Sequence, residues 1–195
     1  MTPTPNDMSS DQHVPRPTVV MRFTVGDRHV ELRPARLEDK VVLQRLMELY
    51  LYDFSEYEGA DVDAGGLYGY GYLDQYWVES TRYPFLIRVD GRWAGFALVR
   101  DYADSDGTLV HGMAEFFVMR KYRRAGIGRA VACRLFDAFP GSWHVGQVVE
   151  NVPAQRFWRR VIGEYSHGQF QEIRREFWDG PLQMFVSEGG EKASS

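Results

Sequence analysis

Cysteine is almost absent from this chain of 195 residues, which contains a single one, Cys133. An internal disulfide framework is therefore excluded, which is typical of a reducing compartment, and we expect a cytoplasmic location. Cys133 lies in a segment with apolar residues at helical spacing, so we interpret it as a small core side chain. No apolar run approaches the roughly 20 residues that span a membrane, so no membrane partner is expected.

Net positive charge is also missing. The formal net charge is −4, whereas a general nucleic-acid binder has a broad basic surface, so no nucleic-acid partner is expected. Hydrophobic residues make up 44% of the chain and aromatic residues 14%, which excludes a largely disordered protein. We expect a flexible leader over residues 1–18, a single domain over residues 19–187 and a flexible tail over residues 188–195.

Alternating and periodic patterns predict an α+β fold around a mixed sheet. Hairpins are predicted at three dipeptides that favour tight turns: Gly26-Asp27, Asp90-Gly91 and Asp179-Gly180. Helices are predicted over four apolar-periodic segments: residues 35–52, 73–81, 126–139 and 152–162. The first helix should bury a stripe of Val42, Leu46 and Leu49, which Val41 could extend. Strands are predicted over residues 109–120 and 142–150, on either side of the third helix.

Basic residues gather in the segment RKYRRAGIGR, residues 120–129, of this otherwise acidic chain. The segment joins a predicted strand to a predicted helix, and Gly126 and Gly128 fall where the helix begins. A helix N-terminus offers unpaired N–H groups and a positive dipole end, and glycine lets an anion approach the backbone. Arginine forks match phosphate oxygens. The segment predicts a phosphate or pyrophosphate site, the alternative being a solvated loop.

Two well-known phosphate loops do not fit this segment. A P-loop requires Gly-Lys-Ser/Thr at the helix start, whereas Gly128 is followed by Arg129 and Ala130. A dinucleotide-binding fingerprint requires glycine or alanine where this chain has Val131. Both types of nucleotide site are therefore excluded here.

A third pattern fits residue by residue. Arg123-x-x-Gly126-x-Gly128, directly after a buried strand, resembles the acyl-coenzyme A signature of the GNAT N-acetyltransferase superfamily. Asn151-x-x-Ala154-x-x-Phe157-Trp158 resembles the second motif of the superfamily. The resemblance covers residues 108–165 closely and residues 20–107 more loosely. It implies a three-layer α/β/α fold with a bent mixed sheet whose fourth and fifth strands splay, and acetyl-CoA as cosubstrate without a metal.

The resemblance also implies where coenzyme A binds. The pantetheine arm would pair with the edge of the fourth strand, and the pyrophosphate would meet backbone N–H groups of the glycine turn. One or two arginines would lie near the adenosine 3′-phosphate, with the others solvated. Asn151 would contact pantetheine or hold the splayed strand, and could equally cap a helix. The implied cofactor-binding residues are Phe117, Val118, Arg120, Arg123, Arg124, Ala125, Gly126, Ile127, Gly128, Arg129, Asn151, Phe157 and Trp158.

Acetyl transfer to an amine requires a base, because a lysine-like amine is mostly protonated at neutral pH. Strict alternation places Glu115 on one strand face with Met113 and Phe117, and apolar neighbours should raise its pKa. A glutamate near this position is often the base in the family. The alternative is a structural ion pair to a neighbouring strand. His111, on the same face by strict alternation, is a weaker candidate.

The acid that would protonate the leaving thiolate is less clearly marked. The family's usual tyrosine is replaced by Trp158, whose indole cannot give up its proton. Tyr165 and Tyr122 are the alternatives, of which we expect Tyr165, unless no acid is needed, since a thiol with a pKa near 8.5 leaves as thiolate.

The acceptor wall in this family usually lies between the first and second strands, here a segment rich in tyrosine and carboxylates. Aromatic faces and carboxylates attract cations, so we expect Tyr52, Asp53 and Tyr70 to contact the primary amine of a small molecule or peptide. The segment's other aromatic residues would pack the core.

The sequence therefore predicts an acetyl-CoA-dependent N-acetyltransferase, with a homodimer left open. A catalytically silent acyl-CoA-binding regulatory or interaction domain is the alternative, because of Trp158. An RNA-binding protein is disfavoured by the net charge and by the lack of aromatic residues among the arginines.

Overall fold

One mixed sheet carries the fold in the computed structural model, which describes residues 19–175 and 178–190. The strands are β1 Met21–Val25, β2 Arg28–Pro34, β3 Arg82–Val89, β4 Arg92–Ala103, β5 Leu109–Val118, β6 Gly141–Gly146, β7 Phe170–Arg175 and β8 Trp178–Ser187. The helices of the described part are α1 Lys40–Glu58, α2 Gln75–Val78, α3 Ile127–Ala138 and α4 Val152–Tyr165. The expected leader and residues 191–195 of the expected tail lie outside the described residues.

The sheet order is β1-β2-β3-β4-β5-β6-β8-β7, and every pairing is antiparallel except that of β5 with β6. These two strands pair only from Val110 opposite Ser142 to Gly112 opposite His144. Beyond Gly112, β5 keeps β4 on one side and has no strand partner on the other within the described chain. The predicted splay is therefore confirmed. The family's fourth and fifth strands correspond to β5 and β6 here, because the N-terminal hairpin contributes two strands, β1 and β2, to the numbering.

The two faces of the sheet hold separate cores. One core packs α3 and α4 against the sheet, and the other packs α1 and α2. Ile127, Val131 and Leu135 of α3, together with Phe139 directly after the helix, are at most 1% exposed. These two cores confirm the three-layer α/β/α arrangement.

The stripe predicted for α1 is correct at Val42 and Leu46 and wrong at Leu49 and Val41. Leu43, Leu46 and Met47 are buried, whereas Val41 and Leu49 are exposed. The helix begins five residues later than predicted and runs on to Glu58, where Gly59 ends it in a left-handed conformation (φ 65°). Tyr50 lies one turn beyond Leu46 and Met47 on the buried face, so its side chain packs against the sheet.

Of the predicted turns, the one at Asp90-Gly91 is confirmed and the one at Asp179-Gly180 is wrong. Asp90 and Gly91 both have positive φ, 50° and 73°, which confirms the hairpin between β3 and β4. Asp179 and Gly180, in contrast, lie inside β8 and form no turn. A Cβ atom at Gly180 would overlap the carbonyl of Gln147, so the glycine is required by a close backbone approach.

A β-bulge in β5 overturns the strict alternation expected around Glu115. Leu98 faces Glu115 while the next residue of β4 faces Met113, so Ala114 is the extra residue. Met113 consequently packs with the α3 and α4 core, whereas Glu115 and Phe117 face α1. The expectation that Met113 and Glu115 share a face is wrong.

The bulge also separates His111 from Glu115. The His111 ring packs against Phe139 and Trp143 in the α3 and α4 core. Its Nδ1 lies 2.6 Å from the Asp101 carboxylate, and its Nε2 lies 3.1 Å from the Pro140 carbonyl. His111 is a core residue and is removed from the candidate bases.

Candidate active site

Glu115 is half-buried at the bulge and is held by two tyrosines. The Tyr50 hydroxyl of α1 donates to Oε2 at 2.6 Å, and the Tyr70 hydroxyl donates to Oε1 at 2.9 Å. Burial raises the pKa of Glu115, and the two hydrogen bonds partly offset this shift. Burial and the neighbouring carboxylate also raise the pKa of both tyrosines, so they stay protonated as donors. The arrangement is that of a proton acceptor with a pKa above the ordinary glutamate value.

Tyr70 belongs to an irregular segment between α1 and α2 that is fastened at two points. The backbone N–H groups of Tyr68 and Gly69 donate to the Glu48 carboxylate at 2.8 and 3.2 Å. Gly69 has a left-handed φ of 72°, which lets the chain reverse there. The structure thus places Tyr70, a predicted acceptor contact, directly on the predicted base.

The glycine turn leaves the first-turn amides of α3 open. Gly126 occupies the N-cap position with φ 79°, and no side chain in the described part of the protein caps these N–H groups. Arg124 also has a positive φ, 62°, and lies exposed beside Ala125. Open amides and a helix dipole at an exposed turn suit the pyrophosphate that the sequence predicts there.

Most arginines of the turn are already paired. Arg120 donates to Asp53 of α1 at 2.8 and 3.1 Å, and Arg123 also donates to Asp53. Arg129 donates to Glu164 of α4 at 2.6 Å. Arg124 is the exception, with no carboxylate partner among the residues that the structure describes.

These ion pairs change the interpretation of Asp53. The carboxylate, predicted to attract a cationic acceptor, is instead engaged by two guanidinium groups and ties α1 to the glycine turn. Tyr52, also predicted to contact the acceptor, is 61% exposed and has no contact with Glu115. Of the three predicted acceptor residues, the structure brings only Tyr70 to Glu115.

The second motif packs α4 against the glycine turn. Phe157 stacks on Phe116 with ring centroids 6.0 Å apart, and a Cβ at Gly128 would lie 3.4 Å from the Phe157 ring. Trp158 is 5% exposed in the α3 and α4 core. Asn151 caps α4, its Oδ1 accepting from the Ala154 N–H at 3.0 Å. The helix-cap role expected for Asn151 is confirmed.

Phe117 and Val118, two predicted cofactor-binding residues, end β5 just before the glycine turn. Phe117 is buried in the α1 core, so only its backbone could meet a ligand. The Val118 carbonyl accepts from Arg123 Nε at 2.6 Å. Ile127 is buried at the first position of α3 and anchors the turn to the sheet.

Tyr165 lies at the wrong end of α4 for an acid at the site. Its hydroxyl donates to Asp137 at 2.9 Å and lies 2.8 Å from the Ser187 hydroxyl. The helix has 14 residues, which separates Tyr165 from the Asn151 end by roughly 20 Å. The structure does not bring Tyr165 to Glu115. Tyr122, the other candidate, is buried beside α3.

Sequence reasoning missed a second set of polar residues on the Glu115 face. Arg100 and Tyr102 of β4 lie on this face, and the Tyr102 hydroxyl is 2.8 Å from Nδ1 of His144 on β6. Burial lowers the pKa of His144, which favours the neutral ring as the partner of the Tyr102 hydroxyl. Alternation along β4 could have grouped Arg100 with Tyr102, but their location on the Glu115 face depends on strand pairing.

Comparison with protein families identifies the chain. The model described as Acetyltransferase (GNAT) family matches residues 43–163. The chain therefore belongs to the GNAT acetyltransferase family. No curated protein sequence matches it.

Solved structures share the fold at low identity. An acetyltransferase from Thermus thermophilus is 16% identical, with a TM-score of 0.59 over 85% of this chain and 98% of that chain. Mycobacterium smegmatis RimJ in complex with CoA-disulfide is 18% identical, with a TM-score of 0.54 over 87% of each chain. Aminoglycoside acetyltransferase AAC(6′)-Ib in complex with coenzyme A is 15% identical, with a TM-score of 0.56 over 80% of this chain and 94% of that chain. Within residues 19–175 and 178–190, no helix has the length and apolar character needed to cross a membrane.

Proposed function

We propose that this protein is an N-acetyltransferase that moves the acetyl group of acetyl-CoA to a primary amine of a small molecule or peptide. The observation that carries the proposal is Glu115, a half-buried carboxylate of raised pKa placed at a bulge where β5 loses β6 as a partner. Membership of the GNAT acetyltransferase family supports acetyl transfer. Two similar folds hold a form of coenzyme A.

The residues present fit coenzyme A. The amides of residues 126–129 would hold its phosphates, together with Arg124, which has no carboxylate partner among the described residues. The edge of β5 that β6 leaves open in the described chain would hold the pantetheine arm. When bound, acetyl-CoA supplies the acetyl group as an activated thioester. Arg120, Arg123 and Arg129 support this site indirectly, because their ion pairs fix the turn against α1 and α4.

Glu115 would take the proton from the attacking amine, directly or through a water molecule. Its raised pKa improves its match to an amine, and Tyr50 and Tyr70 fix the orientation of its carboxylate. No protein nucleophile is required for direct attack. Burial raises the pKa of the Cys133 thiol on α3, which disfavours the reactive thiolate.

A screen of amine acceptors tests the proposal. Release of free coenzyme A thiol would be followed with polyamines, aminoglycosides, amino acids and lysine peptides, and acetylated products would be identified by mass spectrometry. At least one amine should give amine-dependent thiol release and a product heavier by one acetyl group. Binding of acetyl-CoA without turnover of any class would instead favour a silent acyl-CoA-binding domain. The burial of Trp158 where the family has a tyrosine makes this the second candidate.

A further inference from the structure

Three residues of neighbouring strands lie side by side across the sheet, close to Glu115 in the strand pairing. Arg100 lies opposite Gly112, and Gly112 lies opposite His144. Glu115 faces Leu98, and Leu98 and Arg100 are alternate residues of β4, so Arg100 lies on the same face as Glu115. Diagonal neighbours of this kind have Cα atoms about 7–8 Å apart, within reach of one small ligand.

Gly112 is the last residue of β5 that pairs with β6, and its missing side chain leaves room for Arg100 and Tyr102. A Cβ at Gly112 would lie 3.0 Å from the Tyr102 ring and 3.6 Å from Arg100 Cγ. The Tyr102 hydroxyl reaches His144 across β5, and the Arg100 guanidinium lies 5.2 Å from the centroid of the Tyr102 ring. The Arg100 and Tyr102 side chains therefore cover Gly112 on the Glu115 face, and a larger residue at position 112 would displace them.

Arg100 places a positive charge on this face of the sheet. Its cross-strand neighbour Arg82 is neutralised by Glu79 at 2.7 Å, whereas Arg100 is exposed and has no ion pair with the residues described here. Glu115 forms no ion pair with Arg100, and its two oxygens accept from tyrosine hydroxyls. One face thus carries a carboxylate and a guanidinium as near neighbours, held apart from each other.

We propose that the acceptor is an amino carboxylate, whose carboxylate binds Arg100 while its amine faces Glu115. The inference rests on the proposed acetyltransferase function and narrows its substrate class. A guanidinium fork matches a carboxylate through two parallel hydrogen bonds. A polycationic acceptor is disfavoured, because it would meet the Arg100 charge while Asp53 is already neutralised by arginines.

Matched acid and amide substrates test the assignment. Initial rates would be measured for L-phenylalanine, glycylglycine and alanyl-lysine, each beside its C-terminal amide, which removes only the carboxylate charge. The amide has the more easily deprotonated amine, so intrinsic reactivity favours the amide. We expect kcat/KM to be at least about tenfold higher for the acid, which corresponds to one charge-assisted hydrogen-bonded pair.

Substitution of Arg100 should remove this preference. Arg100→Gln should raise KM for the acid by about tenfold with little change in kcat, and leave the amide unaffected, and Arg100→Lys should restore part of the preference. Arg92→Gln is the matched control, since Arg92 is exposed on the same strand beside the β3–β4 turn. The control should change neither substrate.

The outcomes separate the inference from the function. Acetylation of amides at rates equal to the acids, or an equal effect of Arg100→Gln on both, overturns the amino-carboxylate assignment while the acetyltransferase function stands. Acetyl-CoA binding without acetylation of any amine overturns both.

Discussion

The hydroxyl of Tyr50, on α1, donates a hydrogen bond of 2.6 Å to the carboxylate of Glu115, on β5. Tyr70 donates to the other carboxylate oxygen from the segment between α1 and α2. Two layers of the fold therefore meet at this carboxylate, although 65 residues separate Tyr50 from Glu115 in sequence. Both donors favour the ionised form of Glu115, and burial opposes it.

Removing one donor should shift the pH dependence of catalysis. The hydrogen bond from Tyr70 lowers the pKa of Glu115, so Tyr70→Phe should raise that pKa. The acidic limb of the kcat/KM profile should then move to higher pH by about one unit, since a hydrogen bond to a charged group contributes roughly 1.5 kcal/mol or more and one unit corresponds to about 1.4 kcal/mol. At pH values well above this limb, kcat/KM should stay near the wild-type value.

Tyr72→Phe is the control for this profile. Tyr72 is exposed and its ring packs edge-on against Tyr70 at 5.9 Å without bonding to Glu115. Its profile should match wild type. An unshifted acidic limb in Tyr70→Phe would show that Glu115 does not govern that limb.

The glycine turn offers a second prediction, on cofactor affinity. Gly126→Glu would place a carboxylate at the open amides of α3 and should weaken acetyl-CoA binding by roughly tenfold or more, measured by calorimetry. Gly107→Glu is the matched control, because φ is 84° there and 79° at Gly126, so both variants carry similar backbone strain. Equal affinity of two folded variants would exclude the turn as the pyrophosphate site.

Tyr165 should contribute to stability and not to catalysis. Its hydroxyl bonds to Asp137 and Ser187, and burial raises its pKa to about 12. Tyr165→Phe should lower the free energy of unfolding by about 1 kcal/mol in urea titrations, while kcat stays within about twofold of wild type. A loss of kcat of about a hundredfold would restore Tyr165 as a catalytic acid.

The glycine turn and its helices could be predicted from sequence because their signals are local. Gly126 and Gly128 mark the start of α3, and Asn151 caps α4, each within a few residues of the feature it determines. The hairpin at Asp90 and Gly91 is encoded in the same local way.

The geometry around Glu115 could not be predicted, because it depends on one extra residue in the sheet. Ala114 is the bulged residue, and a bulge reverses which face the following side chains occupy. A period-two pattern over residues 109–120 does not show where the period breaks. The hydrogen bonds of Tyr50 and Tyr70 follow from that break and from the buried face of α1, which carries Tyr50 beside Leu46 and Met47.

Ion pairs between distant segments were equally inaccessible. Asp53 and Arg120 lie 67 residues apart, and charge patterning gave no reason to pair them. A carboxylate near tyrosines indicated a cation site, whereas the nearest cations belong to the protein itself.

Burial of Glu115 also has a consequence for stability. Its pKa in the folded state is above the unfolded value of 4.5, so the folded state binds its proton more tightly. The ionised carboxylate therefore destabilises the fold, with the cost appearing as pH rises through the folded pKa. Glu115→Gln, which keeps a carbonyl oxygen for one tyrosine, should be folded and at least as stable as wild type at pH 8.

The catalytic rate of Glu115→Gln decides whether Glu115 is the general base. With acetyl-CoA and the acceptor found by the amine screen, we expect unchanged acetyl-CoA affinity and a kcat lower by on the order of 10²–10⁴-fold, the contribution of a general base. The acidic limb of the kcat/KM profile should also disappear when the acceptor amine itself titrates outside that range. A folded Glu115→Gln enzyme with wild-type kcat and an unchanged pH profile would show that Glu115 is not the general base.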